Sequence, residues 1–224
     1  MSDGPIDLFP LLLSLRVALL ATILAIPIGL PLAWWLARTR FAGRDIVAAL
    51  ITLPMLLPPT VLGYYLLLLV GRQGPIGWLL ESLLDVVLVF SWPAAVVAAW
   101  VAGMPFLVRA AQAGFETVDP SYEQIARTLG RGELSVFFAV TVPLAWKGIV
   151  AGLSLCFARA IGEFGATLMI AGNIPGRTQT MAIAIYDAVQ AGHFAQANML
   201  VVLLTLVAVG VLVILATTAR ATRW

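Results

Sequence analysis

Charge is scarce in this sequence. Asp, Glu, Lys and Arg make up 11% of its 224 residues, against roughly 25% in a soluble domain. With 62% hydrophobic residues and a mean hydropathy of +1.02, the composition excludes a soluble domain and indicates an integral membrane protein. Cysteine and histidine occur once each, as Cys156 and His193. That excludes an internal disulfide and leaves no Cys/His metal site, so no metal is expected. Cys156 lies in an apolar run, where an inert packing role is expected. No GxxxxGK[ST] loop occurs, and His193 has no Ser or Cys nucleophile signature beside it, so no catalytic residue is assigned. The basic residues form no patch with interleaved aromatics, and nucleic acid is not an expected partner. The opening MSDGPIDLFP lacks the basic region of a secretory signal, so the first apolar run is expected to remain as a span. Energy for any work must come from a partner or an ion gradient.

What is present is a series of apolar runs near the 20 residues a spanning helix needs. Residues 8–37 form the first, with a kink expected at Pro27 and Pro31. Residues 46–70 form the second, broken by Pro54, Pro58 and Pro59. Its freed carbonyls are tolerable in lipid only against protein or water, so it is expected to line an interior, with a merely kinked, lipid-facing helix as the alternative. Residues 72–85 read as a loop with one interfacial turn, and 86–108 as the third span. The fourth is 146–170 and the fifth 195–218, with 181–191 too short to cross. Basic residues orient the chain. Arg38, Arg40, Arg44, Arg109, Arg127, Arg131, Lys147, Arg220 and Arg223 fall on one side, and only Arg72 and Arg177 on the other. This places the N-terminus outside, the C-terminus in the cytoplasm and the 119–143 stretch on the cytoplasmic side.

Residues 119–143, DPSYEQIARTLGRGELSVFFAVTVP, are the longest polar interruption. Asp119 can N-cap a helix, Pro120 suits its first position and Glu123 suits its positive end. Tyr122, Ile125, Ala126 and Leu129 fall on one apolar stripe, and Gly130 stands where a left-handed C-cap residue is wanted. Such a helix, too short to span, either lies on lipid or docks into a partner's groove. Its opposite face, Glu123, Gln124, Arg127 and Thr128, mixes charges, which favours the groove. A second apolar run, 134–142, is expected to stop at Pro143. Deeper in the chain, Arg159 and Glu163 stand four apart in FARAIGEFGAT and can pair on one helix face. Charges at membrane depth are functional candidates, here for packing or gating rather than for holding an anion, and a structural ion pair is the alternative. Gly162, Gly165 and Ala166 offer close backbone approach, suited to a symmetric helix interface along a pore or to ordinary helix packing. The pore or gate candidates are Arg159, Gly162, Glu163, Gly165, Thr167, Pro58 and Pro59.

Glu123, Ala126 and Gly130, closed by Pro143, resemble the EAA loop of bacterial ABC-importer permeases. The literal triplet is absent, since Gln124 and Ile125 follow Glu123, and the run ends Val140-Thr141-Val142-Pro143. ARAIGEFGATLMIAGNIPGRT and LPPTVLGYYLLL look like the molybdate-transport (ModB-like) permeases over essentially the whole chain, with sulfate/thiosulfate and tungstate permeases as neighbours. The resemblance implies an all-α integral membrane protein of the ABC type I importer permease fold, with about five transmembrane helices and a cytoplasmic coupling helix. It implies a multi-pass location in a bacterial inner membrane and alternating access in a homodimer. Implied partners are a cytoplasmic ABC ATPase dimer that holds ATP and Mg, a periplasmic or extracellular oxyanion-binding protein, a second copy of the chain and the bilayer. No cofactor is expected on this chain itself. Tyr122, Glu123, Ile125, Ala126, Leu129, Gly130 and Pro143 would couple to the ATPase. A gradient-driven secondary transporter would instead show an internal repeat and buried relays. A non-transporting scaffold that recruits a protein through the 119–143 helix is the third reading.

Overall fold

Proline and glycine placement divides the apolar runs into helices. The computed structural model describes residues 7–221, and every regular element among them is helical. The first, α1 (Phe9–Arg38), continues through Pro27 and Pro31 without a break, so the expected kink does not interrupt it.

The expected second span, 46–70, is two helices, α2 (Arg44–Leu56) and α3 (Pro59–Val70), bent by 112°. Leu57 and Pro58 each precede a proline, which disfavours the helical region, and both are extended at ψ 140° and 138°. Pro59 then starts α3, where its missing N–H costs nothing. Pro54, by contrast, stays inside α2.

Three further differences follow the same logic. The expected 72–85 loop contains a helix, α4 (Pro75–Leu84), with Pro75 in its first turn. The expected third span, 86–108, lies instead at Trp92–Glu116 (α5), with Pro93 in its first turn. It extends past Arg109 because Ala111, Gln112 and Phe115 are buried. The expected fourth span, 146–170, divides into α9 (Trp146–Ile161) and α10 (Gly165–Ala171).

Between α5 and α9 run α6 (Pro120–Thr128), α7 (Glu133–Val136), a π-helical turn (Phe137–Thr141) and α8 (Val142–Leu144). Pro143 therefore does not stop its run. The wider turn, closed by Val142 N–H donating to the Phe137 carbonyl, gives the proline ring room that a regular helix denies it. The chain ends with α11 (Met181–Gln190) and α12 (Phe194–Ala221).

The centre is α1, α5 and α9. One apolar cluster joins Val17, Ala18 and Ala21 of α1 to Ala95, Ala98 and Ala102 of α5 and Phe157 of α9. A second joins Leu36 to Leu107, Phe115 and Ile149. Small residues let the backbones approach: a Cβ on Gly148 would stand 2.5 Å from the Gly114 Cα. Outside this core, α3 packs on α10, whereas α12 buries Ala197 and Leu200 and rests partly buried residues such as Leu204 and Val207 on the clusters. Only 6% of its most apolar 18-residue window is buried.

Among the described residues three helices, α1, α5 and α12, are each long and apolar enough to cross a membrane. Counting each bent pair, α2 with α3 and Glu133–Leu144 with α9, as one span brings the number to five.

The Gly114–Gly148 contact generates a prediction. Gly148→Val overpacks the seam and should lower stability by about 1–3 kcal/mol. The shift in denaturant midpoint of the purified chain in detergent measures it, with Gly132→Ala, which meets nothing within 4 Å, as the matched control.

Candidate functional site

The helix α6 is fixed at both ends by its own sequence. The Asp119 carboxylate accepts from the Ser121 N–H at 2.9 Å, a side-chain N-cap, and Pro120 occupies the first turn. That hydrogen bond holds the Asp119 carboxyl below its ordinary range. At the other end Gly130 adopts φ +81°, and its N–H donates to the Arg127 carbonyl while the Arg131 N–H donates to the Ala126 carbonyl. This paired closure satisfies the last carbonyls and demands a left-handed residue. Arg127 also bridges forward to Glu133 at 2.7 Å, which raises the Arg127 pKa and lowers that of Glu133.

Across its width α6 has two unlike faces. Tyr122, Ile125 and Leu129 are 55%, 55% and 77% exposed, an apolar stripe left uncovered by the described residues. Leu134 and Phe138 extend it onto the following segment. Ala126 and Glu123 face inward and are buried.

Glu123 therefore departs from its place on the mixed polar face. Its Oε1 accepts from Arg38 Nη2 at 2.8 Å, Arg38 Nε at 3.1 Å and the Thr141 hydroxyl at 2.9 Å. Arg38 Nη2 also donates to the Val118 carbonyl at 3.0 Å, and Arg127 lies 3.7 Å from Glu123 Oε2. One buried carboxylate thus ties α6 to the last residue of α1 and to the π-turn. Pro143 lies just beyond that turn, on an exposed corner.

The second constellation is where the broken helices meet. A Cβ on Gly165 would come within 2.8 Å of Pro59 Cβ, and one on Gly63 within 2.7 Å of Met169 Cβ, so α3 and α10 are in backbone contact. This brings Pro58 and Pro59 together with Gly165. Arg159 and Glu163 pair at 2.5 Å, and Glu163 Oε1 accepts from the Ala166 N–H at 2.8 Å, so the buried carboxylate caps α10. Thr167 is buried on the same short helix. Within this chain Gly162 makes no close approach among the described residues: a Cβ there would have the Ala158 carbonyl as its nearest neighbour, at 3.7 Å.

Sequence reasoning missed Arg38 and Thr141. They stand 85 and 18 residues from Glu123, and no spacing rule links them to it. The only signal was that Arg38 ends an apolar helix beside a short amphipathic one.

Comparison with known proteins follows the same architecture. Residues 25–222 match the family described as binding-protein-dependent transport system inner membrane component. The chain belongs to that family. The permease is 44% identical over 194 residues to the molybdenum transport system permease protein ModB of Azotobacter vinelandii, covering 87% of this chain and 86% of that one. It is 42% identical over 204 residues to ModB of Escherichia coli K12, covering 90% and 89%. Among solved structures, the MetNI methionine ABC transporter in an inward-facing form matches with a TM-score of 0.73 at 16% identity, over 98% of this chain and 97% of that one. A bacterial alginate ABC transporter in complex with its pentasaccharide-bound periplasmic protein matches at 0.76 and 16% identity, over 99% and 81%. These likenesses show the type I importer permease fold.

The buried carboxylate generates the next prediction. Arg38→Met leaves Glu123 without its principal cation and should destabilise the chain by about 3 kcal/mol. Adding Glu123→Gln should recover part of that loss, read from unfolding midpoints of the single and double variants.

Proposed function

We propose that this permease is the transmembrane subunit of an ATP-driven importer of a tetrahedral oxyanion, molybdate, working by alternating access. The observation that carries the substrate is the 44% identity over 87% of the chain to a molybdenum transport permease. The exposed stripe of Tyr122, Ile125 and Leu129 on a helix capped at both ends supports the coupling. In this reading the stripe seats in a groove of a cytoplasmic ATPase, which holds ATP and Mg and performs the hydrolysis, and this chain has no catalytic site of its own. Gly130 sets the end of the helix, Ala126 and Glu123 hold it to the body, and Pro143 lies just beyond the π-turn that Thr141 ends.

A second copy of the chain completes the pathway in the bacterial inner membrane. A periplasmic or extracellular binding protein delivers the oxyanion. The orientation that suits these partners is an outside N-terminus and an inside C-terminus, with α6 on the ATP side and the 172–180 loop facing out. Arg159, Gly162, Glu163, Gly165, Thr167, Pro58 and Pro59 are the gate candidates. Glu163 acts there as a helix cap and ion-pair partner, since a carboxylate repels an oxyanion. A capped, rigid α6 is suited to pass one of two states of the ATPase to the spans.

The test is labelled molybdate uptake in cells lacking their own transporter, with this chain, its ATPase and its binding protein co-expressed. Uptake should require ATP and persist in excess sulfate. Gly130→Glu, which forces a side chain into φ +81°, and Leu129→Asp, which places a charge in the stripe, should each insert normally and cut uptake at least tenfold. Uptake erased by sulfate would reassign the substrate to the sulfate branch. Uptake that depends on an ion gradient rather than ATP, or no flux at all, would overturn the importer reading.

A further inference from the structure

Two buried polar contacts at opposite ends of α1 are unexplained by packing alone. At its last residue, Arg38 holds Glu123 of α6 through two donors and the Val118 carbonyl through a third contact. Near its other end, the Ser14 hydroxyl accepts from the Met181 N–H at 2.7 Å, with Ser14 2% and Met181 0% exposed.

Met181 is the first residue of α11, and Thr180 before it supplies no side-chain cap. Ser14 thus caps α11 from another helix, 167 residues away in sequence. Leu11 of α1 packs beside it on Met181 and Ala184.

The segment that α11 terminates is a tight one. The Ile174 carbonyl accepts from the N–H groups of Arg177, Thr178 and Gln179. Gln179 and Asn173 both donate to Asp187 of α11, at 2.8 and 2.6 Å. The 172–180 loop and α11 are therefore one hydrogen-bonded unit, attached to α1 by the buried Ser14 hydrogen bond and by the packing of Leu11.

We propose that α1 is a strut between the 172–180 loop and the coupling helix α6, with Ser14 and Arg38 as its positioning residues. The 24 steps between them in an unbroken helix set the anchors about 36 Å apart, enough to cross the hydrocarbon core. Displacement of the loop is passed to α11, to Ser14, along α1 and through Arg38 to Glu123. Because α1 lies against α5 and α9 over both apolar clusters, it transmits as part of a packed body rather than as a free rod. Such coupling needs a physical link at both ends, and its signature is non-additivity between them. The proposal rests on the importer reading, in which the loop faces the binding protein and α6 faces the ATPase.

The test uses the complete complex with ATPase and molybdate-loaded binding protein in lipid nanodiscs, measuring ATP hydrolysis with and without the binding protein. Ser14→Ala should assemble, keep the unstimulated rate and reduce the stimulation at least fivefold. Ser14→Thr, which keeps the hydroxyl, should restore it. Ser154→Ala, which removes a hydroxyl bonded only to the Val150 carbonyl of its own helix, should behave as the parent. Arg38→Lys should also lower the stimulation, and the Ser14→Ala/Arg38→Lys double variant should fall no further than the weaker single. Should Ser14→Ala not assemble, Ser14→Cys, close to it in size with a weaker acceptor, carries the same comparison. Parental stimulation in the Ser14 variant, or a double variant whose loss is the product of the two singles, overturns the strut. A parent complex with no stimulation by the loaded binding protein overturns the importer reading instead.

Discussion

Within a bilayer every backbone polar group must find its partner inside the protein, and this chain breaks its helices where that demand is hardest to meet. The break at Leu57–Pro58 frees carbonyls at the end of α2, and the break at Gly162–Phe164 frees N–H groups at the start of α10. The two interruptions are solved together. Glu163 caps α10, and Gly165 and Gly63 allow α3 and α10 to touch through their backbones. Gly63, Glu163 and Gly165 are buried at this contact, whereas Pro58, Pro59 and Gly162 stay exposed on this chain. Prolines, glycines and a carboxylate thus gather where the backbone is irregular and the two helices meet.

The same economy governs the ion pairs. Among the described residues two carboxylates, Glu123 and Glu163, are buried, and each pairs with an arginine and accepts from a hydroxyl or backbone donor. Removing one partner from such a cluster leaves a charge without compensation, whereas the exposed pair of Arg127 with Glu133 is screened and of small energetic weight. The buried pairs join separate elements and fix their relative positions. The exposed pair only tidies the link after α6.

Local features were legible in the sequence and distant ones were not. Asp119, Pro120 and Gly130 mark the ends of α6 through capping rules that act within a turn, and the consecutive prolines at 58 and 59 mark the bend. The α4 helix was hidden because Gly71, Gly74, Pro75 and Gly77 read as turn residues, although Pro75 is where a helix can start. The displaced α5 had a similar signal in Ser91-Trp92-Pro93. Its extension past Arg109 follows from tertiary burial of Gln112 and Phe115, which outweighs the polar composition of that stretch. The inward turn of Glu123 depends on Arg38, and periodicity within α6 alone places that carboxylate among the polar residues. The exposure of Tyr122, Ile125 and Leu129 follows once Glu123 is fixed inward.

The sparse burial of α12 bears on which substitutions it tolerates. Most of its surface must be covered by lipid or by another protein. On that surface the surrounding lipid, rather than a neighbouring side chain, sets what is tolerated. One apolar residue can replace another at little cost, whereas a charge near the middle of the helix costs about 2.5–3.5 kcal/mol.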